Sequence, residues 1–316
     1  MTAHGGRGTL DHQALLYGSP GEFVSAMAPF ARTGLERGDV VVAASKRPNI
    51  DALREELGMD SRAVQLEDTA EWMIRPFDRL HAFKQTVAGL PPGRSLSAMG
   101  EPIWEGSAAA RRQWARYESV INLALTDAPM RFVCLYDSSA LPDEILERAT
   151  QTHPTLVAPG GARTRSPGFV DPIDFMPAAV VVPPPEAVDL APEGTALRAS
   201  LTRYAHEHGI DGRQLGEIAL ATSEVAANAV RHGGGPRRAV VWTEDGELVC
   251  QITDAGDGIG DPLAGWIRPE TGSTGGWGLP IARYLADVVE IDRCETGATV
   301  TLFFTIENDR CSSGVA

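Results

Sequence analysis

A chain of 316 residues, 43% hydrophobic and 22% charged, has the composition of a folded protein with room for two domains. Its formal net charge of −14, from 28 basic and 42 acidic side chains, argues against a basic face for direct nucleic-acid binding. No apolar run is long enough to span a bilayer and no apolar leader core opens the chain, so a cytoplasmic protein off the membrane is expected.

In chain order, residues 1–9 read as a disordered tail. His12 and Tyr17 precede the first helix and read as packing residues before ligand contacts. Ser19-Pro20-Gly21-Glu22 reads as the start of that helix, with Ser19 as cap, Pro20 in the first turn and Glu22 reaching back. The apolar pattern through Phe23, Met27, Phe30 and Leu35 carries it to Gly38. Patterns then alternate: strands over 39–44, 63–66, 95–99 and 131–136, helices over 50–57, 76–88, 108–125 and 142–150. This predicts an α/β domain over 9–158 with a mostly parallel sheet. Ligands of such sheets bind beyond the strand carboxyl ends. Those ends offer Ser45, Lys46, Gly100, Glu101, Trp104 and Asp137. No Gly-x-x-x-x-Gly-Lys-Ser/Thr run occurs, so this half is not a P-loop ATPase.

Nine of the 22 prolines fall between Pro154 and Pro192, which marks a linker over 159–192. Within it, 178–182 reads as a strand joining the second domain's sheet. The second domain, over 193–307, reads as helices at 195–208 and 213–232 and strands at 239–243 and 248–253. A hairpin turn at Glu244-Asp245-Gly246 joins those strands. A helix at 279–286 follows, then strands at 288–292 and 298–306 joined through 295–297. The result is an α+β two-layer sandwich with helices on one sheet face. Cys134, Cys250, Cys294 and Cys311 lack Cys-x-x-Cys spacing. Cys134 and Cys250 lie in apolar strand patterns and read as buried free thiols rather than metal ligands or disulfides.

Three blocks carry the chemistry. In Glu224-Val-Ala-Ala-Asn228-Ala-Val-Arg-His232-Gly233, the residues Glu224, Asn228 and His232 are four apart and share a helix face. Leu215, Ile218, Thr222, Val225 and Val230 supply an apolar stripe on another face. Asp254-Ala-Gly256-Asp-Gly258 follows a strand, and its glycines let backbone approach a ligand. Gly275-Gly276-Trp277-Gly278-Leu279 opens a helix, whose free amides suit phosphate.

In this order the blocks resemble the N, G1 and G2 boxes of the GHKL (Bergerat) ATPases, over about residues 195–306. The ending Asn228-Ala-Val-Arg-His232-Gly233 resembles the RsbW-like branch of anti-sigma factors and serine kinases. The resemblance implies ATP and Mg²⁺ as cofactors and Asn228 as the Mg²⁺ residue. It places Asp254 on the adenine amino group, with Gly256 and Gly258 letting the chain pass the base. Thr299 would lie beside adenine, and Gly276, Gly278 and Leu279 along the phosphates. Residues 259–274 would form a lid over the nucleotide. Glu224 matches the general base of that branch. No lysine follows Lys84, so Arg268 and Arg283 are the side-chain cations considered for phosphate.

In the first half, His12-Gln-Ala-Leu-Leu-Tyr17, Gly100-Glu101-Pro-Ile-Trp104, Tyr117-Glu118, Asn122-Leu-Ala and Tyr136-Asp137 resemble the MEDS sensory domain. That resemblance implies sensing of a small-molecule or protein signal, with His12, Tyr17, Glu101, Trp104 and Asp137 as candidates.

The reading is a transcription regulator: an anti-sigma factor with serine/threonine kinase activity toward an anti-anti-sigma partner of the STAS type, under a sensory domain. Its partners would be that protein, a sigma factor and, in a homodimer, a second copy of the chain. A non-catalytic ATP-binding module is the alternative. A sensor histidine kinase is less favoured, because its only His-Glu pair, His206-Glu207, is followed at once by His208-Gly209.

Overall fold

The computed structural model describes residues 9–69, 75–175, 181–270, 272–294 and 297–306. Residues 1–8 of the tail expected over 1–9, residues 178–180 of the expected strand, residues 295–296 of the last turn and Cys311 lie outside the described residues. The chain divides into two compact units. One comprises residues 1–107 and 114–177, the other residues 108–113 and 178–316.

The first unit opens with a strand that the sequence pattern did not announce, β1 (Asp11–Tyr17), with His12, Gln13, Ala14, Leu15 and Tyr17 buried. Helix α1 (Pro20–Glu36) starts as its residues dictate: Ser19 is extended and its Oγ accepts from Glu22 N at 3.3 Å. Glu22 reaches back to Gly18 N at 2.7 Å, one residue before the cap. There follow β2 (Val40–Ser45), α2 (Arg47–Leu57), β3 (Val64–Asp68), α3 (Pro76–Ala88) and β4 (Leu96–Gly100). Then come α4 (Ala108–Ala124), β5 (Met130–Asp137), α5 (Asp143–Thr152), β6 (Thr155–Val157) and β7 (Arg163–Arg165). The sheet order is β3-β2-β4-β5-β1-β6-β7. Every neighbouring pair is parallel except β6 and β7. This is the mostly parallel α/β sheet expected, extended at one edge by β6 and β7.

The second unit contains β8 (Val188–Leu190), α6 (Gly194–Glu207), α7 (Gly212–His232), β9 (Pro236–Glu244) and β10 (Glu247–Asp254). It is completed by α8 (Gly278–Leu285), β11 (Val288–Cys294) and β12 (Gly297–Thr305). Its antiparallel sheet has the order β11-β12-β10-β9-β8. Of the strand expected at 178–182, the described residues Val181 and Val182 lie in no strand, and β8 pairs with β9 at the sheet edge. Three helices cover one face: Leu197, Leu201, Ile218, Val225 and Ala282 pack on Val241, Leu248, Cys250, Ile252 and Leu302. Each such large aliphatic side chain contributes about 1.5–3 kcal/mol on burial. Val240, Trp242, Val249, Val288 and Phe303 form a separate cluster from alternate strand positions. Val230 corrects the expected stripe of α7, because it is 49% exposed.

Two local devices place the functional residues. Asp245 and Gly246 both have positive φ (49° and 80°), the two-residue turn whose twist matches a hairpin. It sets Glu244 opposite Glu247 and registers β9 on β10. At the far end the ladder slips: Thr253 pairs with Arg238 but Asp254 with Pro236. Such a bulge re-aims the side chain that follows it, here Asp254.

Candidate functional site

In α7 the helical repeat puts Glu224, Asn228 and His232 in line while Ile218, Thr222, Val225 and Ala229 are buried. Asn228 is half-buried, and its carboxamide makes no hydrogen bond among the described residues. It faces the first residue of α8: a Cβ added to Gly278 would stand 2.5 Å from Asn228 Nδ2 and 2.8 Å from Oδ1. An unpaired amide therefore lies against a helix N-terminus whose first amides have no intrahelical partner.

Asp254 is held from one side. Its Oδ1 accepts from Gly256 N at 3.0 Å and Ala298 N at 2.9 Å. Its Oδ2 has no hydrogen-bond partner among the described residues. Gly233 leaves the room this requires, since a Cβ there would meet the carboxylate at 2.4–2.6 Å. Gly256 in turn packs backbone to backbone on Gly233, and Ala255 N donates to Gly233 O at 2.9 Å.

One cavity joins these groups. Asn228, Asp254, Gly256, Gly258, Gly276, Gly278 and Leu279 line it, with His232, Ile252 and Val300. The segment after Gly258 closes one wall through Ile259, Asp261, Leu263, Ala264, Ile267 and Pro269. Glu224 and Thr299 are not among the lining residues. Glu224 lies one turn back on α7. Thr299 is buried, paired with Thr253 across β12 and β10, their Oγ1 atoms 3.0 Å apart. Arg283 does not serve phosphate in this arrangement: it is buried, donates to Val289 O at 2.9 Å and stacks 4.4 Å over Trp266. Arg268 stands over Tyr284 at 5.6 Å.

In the first unit the chain leaves β2 for β3 on one side and β4 for β5 on the other, so the crevice between the ends of β2 and β4 is the topological switch point. Glu101 fills it. Its Oε1 accepts from Tyr17 OH at 3.0 Å and pairs with Lys46 Nζ at 3.2 Å. Its Oε2 accepts from Ser45 Oγ and, at 3.2 Å, from Lys46 N. Lys46 Nζ also bonds Asp137 Oδ2 at 3.2 Å. Asn49 bridges Tyr17 OH (2.9 Å) and Ser45 Oγ (3.1 Å). Burial, reinforced by the charge on Glu101, pushes the Tyr17 phenol well above its ordinary range. Burial opposes charge on Lys46, but Glu101 and Asp137 outweigh it and raise the ammonium. Asp137 is lowered: burial alone would raise it, and bonds from Ser139 and Lys46 reverse that. Trp104 stands apart, buried against Tyr136 with ring centroids 5.9 Å apart.

Residues 11–154 match the methanogen/methylotroph DcmR sensory domain, MEDS, and residues 189–304 match the histidine kinase-like ATPase domain. The chain carries a MEDS domain followed by a GHKL-type ATPase domain. Among solved structures, the crystal structure of the RsbU and RsbW domains of Rv1364c from Mycobacterium tuberculosis is 26% identical, with a TM-score of 0.28. The match covers 39% of this chain and 32% of that one, so the chain spans about a third of that relative's length. No curated protein matches. Among the described residues no helix is long and apolar enough to cross a membrane.

Within the MEDS domain the structure separates His12 from Tyr17, Glu101 and Asp137. His12 begins β1, away from the strand carboxyl ends, and meets Glu118 of α4, Cys134 of β5 and His153 at the end of α5. All four are buried, and Cys134 and Cys250 are buried outside any disulfide. Burial pushes His12 down to about 4. Burial works against the Glu118 charge, yet the two imidazoles hold its carboxyl well below the usual range. The sequence analysis singled out neither Asn49 nor His153. The available signals were the Ser45–Asn49 spacing of four at a helix start and a histidine between a helix end and Pro154.

Proposed function

We propose that the ATPase domain binds ATP with Mg²⁺ and phosphorylates a serine or threonine of an STAS-type anti-anti-sigma protein, the chain acting as an RsbW-like anti-sigma factor in the cytoplasm. The MEDS domain would tie this activity to a small-molecule or protein signal. The observation that carries the reading is the pair of unsatisfied polar groups in one cavity, the Asn228 carboxamide and Asp254 Oδ2. A hard cation prefers oxygen donors and retains most of its water, which suits a single amide oxygen. A carboxylate oxygen held by two backbone amides on its neighbour is an acceptor aimed at an amino group.

ATP, when bound, supplies the phosphoryl group. The chain's own part is to hold and orient. Asp254 Oδ2 would accept from the base, and Gly256 gives the base room. Asn228 Oδ1 would hold the cation, and the first amides of α8 behind Gly278 would face the phosphates. Glu224, one turn before Asn228, would take the proton of the attacking hydroxyl.

One observation favours a second reading, a nucleotide-dependent binding module without transfer: Glu224 does not line the cavity. A histidine kinase is not favoured, because His206 lies in the last turn of α6 and Gly209 turns away with φ of 75°.

Calorimetry of the full chain with ATP, with and without Mg²⁺, tests the site, and labelled ATP with candidate STAS proteins tests transfer. Asn228→Ala should abolish Mg²⁺-dependent binding; undiminished affinity would sink the assignment. Glu224→Ala should keep binding and lose transfer. Binding by the intact chain with no label on any partner would support the second reading.

A further inference from the structure

The MEDS domain encloses four potential ligand atoms that no step above uses. Glu118 Oε2 lies 3.4 Å from His12 Nε2, 3.4 Å from His153 Nε2 and 3.1 Å from Cys134 Sγ. Cys134 Sγ is also 3.4 Å from His12 Nε2, and all four ligand atoms lie within 4.8 Å of one another. A tetrahedral ion with bonds of about 2.0–2.3 Å needs ligand–ligand edges of roughly 3.3–3.8 Å. The cluster already has nearly that size.

Surrounding hydrogen bonds place a proton on Nδ1 of both rings. Asn122 Nδ2 donates to the carbonyls of Glu118 (3.3 Å), Ser119 (3.1 Å) and Thr152 (2.9 Å), so Asn122 Oδ1 is the atom facing His12. It lies 3.1 Å from His12 Nδ1 and can only accept, which puts the proton on Nδ1. His153 Nδ1 likewise donates to Ala149 O at 2.8 Å. With Nδ1 so occupied, each ring directs Nε2 inward and would offer that nitrogen to a metal, the arrangement outer hydrogen bonds impose on metal-binding histidines. His153 is fully buried, and among the described residues its Nε2 has Glu118 Oε2 at 3.4 Å and no shorter polar contact. Two ring nitrogens, a carboxylate and a thiol thus converge, the Cys134 thiol donating to Glu118 Oε2.

We propose that His12, Glu118, Cys134 and His153 form a closed four-ligand site for a divalent transition metal, with zinc as the type ion. A dication with one thiolate, one carboxylate and two neutral imidazoles sums to zero charge, as a buried site requires. Binding releases the Cys134 proton to solvent and replaces the S–H bond with a metal–sulfur bond. Imidazole and thiolate donors select zinc, cobalt or iron over Mg²⁺, so this site and the nucleotide cavity take different ions. With four protein ligands and no open position, it is a structural centre that ties β1, α4, β5 and the end of α5 together.

The test uses the full chain. Elemental analysis of the purified protein should find about one zinc or iron per chain. Chelator-treated protein should take up about one Co²⁺ with intense visible bands and a thiolate charge-transfer band, releasing about one proton. Zn²⁺ alone should raise the thermal midpoint of the chelator-treated chain. Cys134→Ser should lose the charge-transfer band and His153→Ala the stoichiometric uptake. Asn122→Ala keeps every ligand and should weaken Co²⁺ binding about 10–100-fold. If a ligand variant fails to fold, the wild-type cobalt spectrum and the Asn122→Ala titration still decide. Substoichiometric metal with no cobalt–thiolate band overturns the proposal, as does Co²⁺ uptake unchanged in both Cys134→Ser and His153→Ala.

Discussion

Gly278 and Asn228 are in such close approach that a methyl group on Gly278 would overlap the Asn228 carboxamide, at 2.5 Å from its nitrogen. The backbone at Gly278 is ordinary helix and does not itself demand glycine. Gly278→Ala should therefore leave the fold intact while displacing Asn228. ATP affinity in the presence of Mg²⁺ should fall at least about tenfold, roughly 1.4 kcal/mol. Calorimetry beside circular dichroism separates the two effects, and unchanged affinity would remove this contact from the site.

Gly216 provides the contrast. It is exposed within α7, and a Cβ there meets nothing within 4 Å. Glycine inside a helix costs about 0.5–1 kcal/mol relative to alanine. Gly216→Ala should raise the urea midpoint of the ATPase domain by that amount of stability without altering nucleotide affinity.

Cys250 sits in the core beneath α7, where burial pushes its thiol up to about 12. The folded state holds its proton above pH 9, where the unfolded chain gives it up. The stabilisation is therefore complete below about pH 9 and is lost as pH rises from there toward 12. Any stability advantage of the native chain over Cys250→Ala should shrink across that window, by at most about 1.4 kcal/mol per pH unit. A constant difference would show that the thiol does not ionise on unfolding. In the native protein Cys250 should also resist alkylation at pH 8, read by peptide mass spectrometry.

Glu101 and Tyr17 should differ sharply in their cost. Removing the Glu101 carboxylate strands donors from Tyr17, Ser45 and the Lys46 backbone beside a cation. Glu101→Ala should destabilise the MEDS domain by about 3–5 kcal/mol. Tyr17→Phe removes one hydroxyl and should cost nearer 1 kcal/mol. Chemical unfolding of the two variants checks the order, and equal costs would mean that Glu101 is not the hub.

The ATPase domain was legible because its signals are local. Asn228 lies on a strongly periodic helix, Asp254 at the end of an apolar run, and Asp245-Gly246 is a hairpin turn in two letters. β1 was missed for the opposite reason. His12 to Tyr17 is buried on both faces and shows no alternation, and its partners are residues 131–137 and 155–157. Val188–Leu190 supplies the sheet edge by pairing with residues 239–241, about fifty positions on, which a three-residue pattern does not announce. The glutamate network and the buried four-residue cluster draw on segments far apart in sequence, so spacing does not reveal them. Separate motifs flagged His12, Glu118 and Asn122, but nothing in the pattern joined them to His153.

The place of β1 between β5 and β6 also bears on how the protein emerges during synthesis. The first strand made finds neither neighbour until residues 130–157 have been produced. Until then an apolar segment beginning at His12 waits without a sheet. Long-range parallel pairing of this kind forms slowly and leaves edges open to other chains. A nascent MEDS domain should accordingly be a client for chaperones until its last strands leave the ribosome, and fragments ending before Met130 should be found in aggregates.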